Sequence, residues 1–258
     1  MKVWTVVNQK GGVGKTTSAI SIAGCLSAMG FKTLLVDLDP HASLTHYLGV
    51  DSECQALNLY DVFMASNSDK AFTTVLAQAT LQSSIKNVDL LPAHMALATL
   101  DKTLGEQEGK GLIMQKVAQK FASKYDVMIM DCPPVLGVLM VNALVAAHKI
   151  ILPTQTEHLA LQGLDKMIHT LELMKNSLTA KASYLVVPTL FDKRVKACIG
   201  AFSQMREKYK GNIWKGYVPV DTKFRDASAA GLPINQIAPN TRGSFAYEKL
   251  VNELLKNA

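Results

Sequence analysis

A glycine-rich stretch near the start of the chain constrains its fold more than any other feature. Residues 9–17 read Gln-Lys-Gly-Gly-Val-Gly-Lys-Thr-Thr, between a short apolar run and a segment with apolar residues at helical spacing. A strand, a glycine loop and a helix in this order are typical of a phosphate-binding loop. Glycines let backbone N–H groups approach phosphate oxygens, and the helix N-terminus adds partial positive charge.

The polar residues of this loop suit separate parts of a bound nucleotide. Lys15 can reach the β- and γ-phosphates, and the hydroxyl of Thr16 can ligate Mg²⁺. The usual pattern begins with glycine where this chain has Gln9, and a second lysine, Lys10, precedes the glycine pair. Two lysines carry more charge than one nucleotide in one subunit requires. The alternative, a glycine-rich turn with chance lysines, does not explain the flanking strand and helix.

Two further apolar strands end in carboxylates. One leads to Asp37 and Asp39, which we expect to point the same way from the strand end, and the other leads to Asp131 ahead of a Pro-Pro pair. Ligands of parallel sheets bind at the carboxyl ends of strands, so the glycine loop and the carboxylates should converge there. Asp131 then has the position of a carboxylate that holds a metal-bound water near the phosphates.

Apolar strands alternate with amphipathic helices along the whole chain. We count about seven strands, the last at residues 212–219, and most lack the polar alternation of a half-exposed sheet. The predicted fold class is therefore α/β, a doubly wound, mostly parallel sheet with helices on both faces. No repeat, low-complexity tract or linker interrupts it, which predicts a single domain over residues 1–258 with the phosphate-binding loop near its start.

Composition excludes several classes of protein. No apolar run reaches the roughly 18 residues of a membrane span, and the N-terminus lacks the pattern of a signal peptide. The four cysteines are scattered without C-x-x-C spacing, which argues against a zinc site or a disulfide framework and favours a reducing compartment. We expect a cytoplasmic protein with no stable membrane anchor.

The excess positive charge lies in one segment. The chain carries a net charge of +6, and residues 193–225 hold nine Lys/Arg against two acidic residues, a net charge of +7. The rest of the chain is therefore close to neutral. A solvated face is the ordinary explanation of a lysine-rich helix, and a surface that contacts nucleic-acid phosphates is the other.

Three motifs together resemble the ParA/Soj/MinD family of deviant Walker-A ATPases. They are Lys10-Gly11-Gly12-Val13-Gly14-Lys15-Thr16, Asp37-Leu38-Asp39-Pro40 and Asp131-Cys132-Pro133-Pro134. The resemblance covers essentially the whole chain and includes residues 153–164 and 231–234. It implies ATP and Mg²⁺ as cofactors, a homodimer with ATP sandwiched between two subunits, and slow hydrolysis to ADP and phosphate. It also implies stimulation by a ParB-like or other adaptor protein.

The resemblance further implies roles for individual residues. Lys10 would reach the nucleotide of the partner subunit, Lys15 would hold the phosphates of its own subunit, and Asp39 would orient the attacking water. Thr16, Asp37 and Asp131 would lie on the metal side. Gly11 would lie where the subunits meet. The implied nucleotide-binding set is Lys10, Gly11, Gly12, Val13, Gly14, Lys15, Thr16, Thr17, Asp131 and Pro219.

Two kinds of surface occur within this family. MinD-type members end in a basic amphipathic helix that lies on membranes, whereas the tail at residues 247–256 mixes both charge signs. ParA/Soj-type members bind DNA without sequence preference through a basic surface. The matching candidates here are Arg194, Lys196, Lys223 and Arg225. This resemblance implies nonspecific DNA as a partner and a nucleoid-associated or polar placement.

A narrower resemblance concerns the cargo. Residues 3–9 and 39–45 are similar to the ParC branch, which positions chemotaxis arrays at cell poles, so the cargo would be a protein cluster rather than DNA. The family often has glutamine after the Asp-Pro pair where this chain has His41, which bears on hydrolysis signalling rather than on ATP binding.

Two other classes of enzyme share such a loop. A reductase related to nitrogenase iron protein needs cysteines from each subunit for an iron–sulfur cluster, and no second cysteine is suitably placed after Cys132. A small-molecule kinase or synthetase would need a substrate pocket, for which the sequence shows no signature.

Overall fold

Seven strands form a single sheet in the computed structural model, which describes residues 1–104, 112–179 and 182–256. The strand order is β3-β4-β2-β5-β1-β6-β7, and all neighbours are parallel except β3 and β4. The strands are β1 Lys2–Val6, β2 Thr33–Asp37, β3 Leu81–Gln82, β4 Val88–Leu91, β5 Val127–Asp131, β6 Lys149–Gln155 and β7 Ser183–Thr189.

Helices cover both faces of the sheet, as the apolar strands predicted. They are α1 Lys15–Ala28, α2 Ser43–Tyr47, α3 Leu59–Met64, α4 Asp69–Ala79, α5 Leu100–Leu104, α6 Ile113–Lys120, α7 Val138–Ala146, α8 His158–Leu173, α9 Lys196–Lys208, α10 Lys223–Ala229, α11 Ile234–Ile237 and α12 Arg242–Lys256. One core lies under α1 and α12, and the other lies under α3, α4 and α6 to α9. The doubly wound α/β prediction is confirmed.

The central strands place three functional segments at one edge. All residues of β2 and β5 are buried, and neighbouring positions such as Leu34 and Leu35 face opposite cores. Strands buried on both faces are apolar throughout, which explains their sequence pattern. The parallel register sets Asp131 beside Asp37 on one side and Val6 on the other. The glycine loop follows Val6, so it begins at the edge where both carboxylates lie.

The predicted strand at residues 212–219 is wrong. The segment lies along the edge of β7, where Val186 exchanges backbone hydrogen bonds with Asn212 and Trp214, but it forms only isolated bridges. A Cβ built on Gly216 would lie 2.5 Å from the Trp214 ring, so the chain turns tightly there and the ladder stops. The two-residue antiparallel strand β3 was not predicted.

The C-terminal helix α12 packs on the sheet through its apolar face. Tyr247, Leu250, Val251 and Leu254 are buried in the core that α1 shares. Among the described residues, none of the helices combines the length and apolar character that a bilayer crossing requires. The single-domain prediction over residues 1–258 stays a prediction, and its residues 105–111, 180–181 and 257–258 lie outside the described part of the chain.

Candidate nucleotide-binding site

The glycine loop forms an open cradle between β1 and α1. Gly12 and Gly14 have φ angles of 73° and 88°, a backbone conformation that favours glycine, and Gly14 precedes the first turn of α1. No heavy atom lies within 4 Å of a Cβ built on Gly11, Gly12 or Gly14. The cradle therefore has room for a phosphate group at a helix N-terminus.

Neighbouring strand ends hold the loop in place. The Asn8 amide donates to the carbonyl of Pro153 at 2.8 Å, while its Oδ1 accepts from the Lys10 N–H at 3.0 Å. On the other side, Thr189 Oγ1 donates to the carbonyl of Val13 at 2.9 Å. Sequence reasoning did not identify Asn8 or Thr189 as loop supports, because their partners lie more than a hundred residues away.

Thr16 and Asp131 meet beneath the cradle. The Thr16 hydroxyl donates to Asp131 Oδ2 at 2.6 Å, and the buried ammonium of Lys15 donates to the Lys10 carbonyl at 3.2 Å. The second oxygen of Asp131, Oδ1, is buried and has no hydrogen-bond donor among the described residues. Such an oxygen is costly to bury, and it is a suitable acceptor for a metal-bound water. The residues present therefore fit a Mg²⁺ ion.

Asp37 is fully buried, but donors occupy both of its oxygens. Oδ2 accepts from the N–H and the hydroxyl of Thr45 at 2.9 and 2.7 Å, and Oδ1 accepts from the Asp39 N–H at 3.1 Å. Asp39 instead lies beside His41, whose Nδ1 is 2.8 Å from its Oδ1. The charge of Asp39 also contributes to raising the pKa of both Asp37 and Asp131, so the three carboxylates lie close together. That Asp37 and Asp39 point the same way stays a prediction.

Burial shifts the acidity of both inner carboxylates. It raises the pKa of Asp131 to about 8, with the neighbouring charge of Asp37 as the next cause. It raises the pKa of Asp37 to about 6, against the lowering effect of its hydrogen bonds from Thr45. Among the described residues, no group of three or more His, Cys, Asp or Glu is arranged as a metal centre. A magnesium ion at this site would therefore depend on nucleotide oxygens for several of its ligands.

Lys10 forms an ion pair with Glu157 of its own chain. Glu157 directly precedes α8, and both side chains are partly exposed, at 30% and 38%. Exposed ion pairs contribute little stability, so this one can exchange partners readily. Glu157 was not among the predicted site residues, although it lies in the 153–164 stretch.

A cavity of about 240 Å³ opens beside the loop. It brings together four of the predicted nucleotide-binding residues, Val13, Gly14, Thr17 and Pro219. Arg225, predicted to contact DNA, lines the same cavity. An adjacent cavity of about 170 Å³ shares Pro219 and adds Arg194 and Arg242. Arg242 lies outside the basic 193–225 segment, and only the fold brings it to this surface.

The remaining predicted DNA contacts lie at the same end of the molecule, but acidic neighbours engage two of them. Arg194 Nη2 lies 2.6 Å from Asp192 Oδ2 and holds the pKa of that carboxyl at about 2. Lys223 lies 2.7 Å from Asp226. Lys196 begins α9 and is exposed. The positive charge at this end is therefore smaller than the residue count alone suggests.

Together, the open glycine cradle, the buried lysine and the Thr16–Asp131 contact define a P-loop nucleotide-binding protein of the α/β class. A family model described as "AAA domain" matches residues 1–184. The chain is 30% identical to the sporulation initiation inhibitor protein Soj of Bacillus subtilis, over 99% of each chain. It is 32% identical to the chromosome-partitioning ATPase Soj of Treponema pallidum, over 98% of this chain and 97% of that protein.

A solved structure shares the same fold along its length. The cobyrinic acid a,c-diamide synthase of Mycobacterium smegmatis, with bound ATP analog and magnesium, has a TM-score of 0.83 and 30% identity, covering 99% of this chain and 95% of that one. This chain therefore belongs to the ParA/Soj family of ATPases, as the sequence motifs predicted.

The raised pKa of Asp131 predicts that the stability of the folded protein depends on pH. Below its folded pKa of about 8, Asp131 stays neutral in the folded protein, whereas in the unfolded chain it ionises above its ordinary value of 3.8. Stability from this group is therefore fully present below about pH 4 and is lost as the pH rises toward 8. In metal-free buffer, we expect Asp131→Asn to melt about 5 °C or more above the unsubstituted protein at pH 8, with the difference closing toward pH 4.

The control is Asp69→Asn, which changes an exposed carboxylate paired with Lys120. Thermal melts of this variant should follow the pH profile of the unsubstituted protein. An Asp131→Asn variant with that same profile would show that burial of the carboxylate does not control stability.

Proposed function

We propose that this chain binds ATP with Mg²⁺, dimerises around the nucleotide and hydrolyses it slowly to ADP and phosphate, in a cycle that positions or partitions a cargo. The observation that carries the proposal is the contact between Thr16 and Asp131 beneath an open glycine cradle, with a free Asp131 oxygen. Relatives named for chromosome partitioning support the cargo, and the nucleotide-bound solved structure supports the ligand.

Each site residue has a role in this proposal. Lys15 contacts the phosphates, Thr16 ligates Mg²⁺, and Asp131 holds a metal-bound water through its free oxygen. Asp39, at the rim of the site, orients the attacking water. The bound metal would supply charge neutralisation for the developing phosphate charge. Asp37 fixes the loop between β2 and α2 through Thr45 rather than contacting the metal.

ATP turnover tests the site directly. Lys15→Ala should lower ATP binding and turnover about a hundredfold, because it removes the buried charge that faces the phosphates. Lys32→Ala changes an exposed lysine before β2, and it should leave both unchanged. Product analysis should find only ADP and phosphate. A phosphorylated or amidated acceptor would favour a kinase or synthetase instead, and retained ATP binding in Lys15→Ala would place the nucleotide elsewhere.

Exposed apolar residues at the nucleotide end support a second copy of the chain as the partner. Val135 and Leu159 are 65% and 66% exposed, and Leu136 is also exposed. Val135 and Leu136 follow the Asp131 motif, and Leu159 lies in the first turn of α8 beside the Lys10–Glu157 pair. On dimerisation, Lys10 would leave Glu157 for the phosphates of the partner's nucleotide, while the apolar residues became covered.

Gly11 offers a test that separates dimerisation from folding. Because the Cβ position of Gly11 is open in one chain, Gly11→Val should fold and bind ATP but block the close approach of a second copy. In an Asp39→Ala background, where hydrolysis is slowed, size-exclusion with ATP and Mg²⁺ should show a dimer that Gly11→Val abolishes. Gly200→Val, equally open but on α9, should retain the dimer. A Gly11→Val dimer would contradict the sandwich.

The layout of the basic residues supports ATP-gated binding of nonspecific DNA. Arg194, Lys196, Lys223 and Arg225 lie at the nucleotide end, and Pro219 lines both the loop-side cavity and the cavity beside Arg194. Dimerisation would double this surface and so raise the number of phosphate contacts. The local carboxylates Asp192 and Asp226 would have to exchange their partners for DNA phosphates.

DNA retention should depend on the basic residues at the nucleotide end of the molecule. With ATP, Arg194→Ala should weaken binding to random duplex DNA and reduce the salt slope by about one for each subunit. Arg206→Ala, in the same segment but at the opposite end of α9, is the matched control and should bind normally. Filter binding across a salt series measures both. If Arg206→Ala alone weakened binding, DNA would contact the other end of the molecule.

The alternatives have less support. The apolar face of α12 packs on the core, so this helix has little apolar surface left for a MinD-like membrane contact. Cys132 is fully buried, which disfavours an exposed iron–sulfur cluster shared between subunits. The relatives' names favour DNA as cargo, and the ParC-like residues favour a protein cluster at a pole with an adaptor protein. A pull-down from native lysate with Asp39→Ala and ATP distinguishes these cargoes.

A further inference from the structure

A cavity of about 810 Å³ lies at the edge of the sheet opposite the glycine loop. It opens where β6 and β7 begin, and residues of α9 and α12 close its sides. The seven residues of β6 span about 20 Å, which separates this cavity from the nucleotide end. It is therefore a different site from the one already described, and none of the residues placed in the nucleotide site or in the proposed subunit contact lines it.

Lys149, the first residue of β6, lines this cavity. The residue is only 9% exposed, yet within the described ranges its ammonium has no hydrogen-bond acceptor and no ion-pair partner. Burial lowers the pKa of this ammonium below its ordinary value. The Lys149 ammonium stays accessible to the water in the cavity and has no acceptor among the described residues, so it can pair with an anion that enters there.

The other charged residues around the cavity indicate the charge of the anion that it would bind. Arg206, Lys210 and Lys215 add three cations to Lys149, and Glu207 and Glu253 are the acidic residues that line it, which leaves a net charge of +2. A phosphate monoester carries a charge of about −1.5 to −2 at neutral pH, which matches this balance. A guanidinium can also bind two phosphate oxygens at once.

The shape of the cavity distinguishes a small anion from duplex DNA. The volume lies within the range of small-molecule sites, roughly 300–1,000 Å³. The phosphates of a duplex lie on a broad, rigid surface, whereas Lys149 is nine-tenths buried at the wall of a recess. Tyr184, Ser183 and Asn212 also line the recess and can contact the organic part of a ligand.

We propose that this cavity binds a small organic phosphate monoester, with Lys149 and Arg206 contacting its phosphate group. The site needs neither ATP nor dimerisation, so it stands independently of the proposed ATPase function.

Isothermal titration with ribose 5-phosphate, in the absence of ATP, tests the proposal. Lys149→Met keeps the length of the side chain but removes its charge, and it should weaken binding about tenfold or more. Arg206→Gln should also weaken binding, and it provides a second variant at a more exposed position. Lys15→Ala removes the loop lysine and should bind the probe as the unsubstituted protein does. Because the carbon chain of Lys149 is largely buried and its ammonium makes no ion pair among the described residues, Lys149→Met should keep the melting temperature that the unsubstituted protein has without ligand.

Three results would overturn the proposal. Binding lost in Lys15→Ala but retained in Lys149→Met would place the phosphate at the glycine loop. Absence of saturable binding in the unsubstituted protein would remove the site altogether. Duplex DNA that competes with the probe, and that binds less tightly to both Lys149→Met and Arg206→Gln, would identify a nucleic-acid surface instead.

Discussion

Burial of Asp131 beneath the glycine loop is the constraint on which the rest of the site depends. The parallel register of β2, β5 and β1 brings Asp131 beside Asp37, and both carboxylates are cut off from water. The fold satisfies Asp37 with donors from Thr45 and Asp39, but it leaves one Asp131 oxygen without a donor among the described residues. A site with one satisfied and one unsatisfied carboxylate favours a cation on the unsatisfied side, directly below the phosphate cradle.

The basic segment illustrates how one stretch of sequence can serve two ends of a domain. Helix α9 has thirteen residues, so it runs for about 20 Å along the sheet. Arg194 and Lys196 precede or begin it near Pro219, whereas Arg206, Lys210 and Lys215 lie at the opposite edge. A net charge of +7 for the segment therefore does not describe one surface. It divides into a set near the nucleotide and a set around the Lys149 cavity.

Sequence could predict those parts of the site that depend on local pattern. The glycine loop comes directly after one buried strand, and Asp131 ends another. The apolar run of each strand is therefore enough to predict where these residues lie in the sheet. The contacts of Asp37 with Thr45, of Lys10 with Glu157 and of Arg242 with the Arg194 cavity depend instead on how separate segments pack. The segment at residues 212–219 has an apolar pattern that suits a strand, but the chain turns at Gly216, against the Trp214 ring. In the sequence, Lys149 is indistinguishable from any polar residue at the start of a strand. Its burial, which only the fold shows, sets it apart from the exposed lysines.

The two loop lysines differ in burial, and this difference suits a protein that binds ATP first and dimerises afterwards. Lys15 is buried and donates to the backbone of the loop itself, so its position is fixed before any ligand arrives. Among the described residues, the Lys10 ammonium pairs with Glu157 alone, in a partly exposed ion pair, and such pairs gain little over solvated charges. A triphosphate presents more negative charge than one carboxylate, so it competes well for Lys10 once a second subunit brings it within reach. Binding by Lys15 and the proposed cross-subunit contact by Lys10 can therefore be separate steps, because burial fixes one lysine and exposure leaves the other free to change partners.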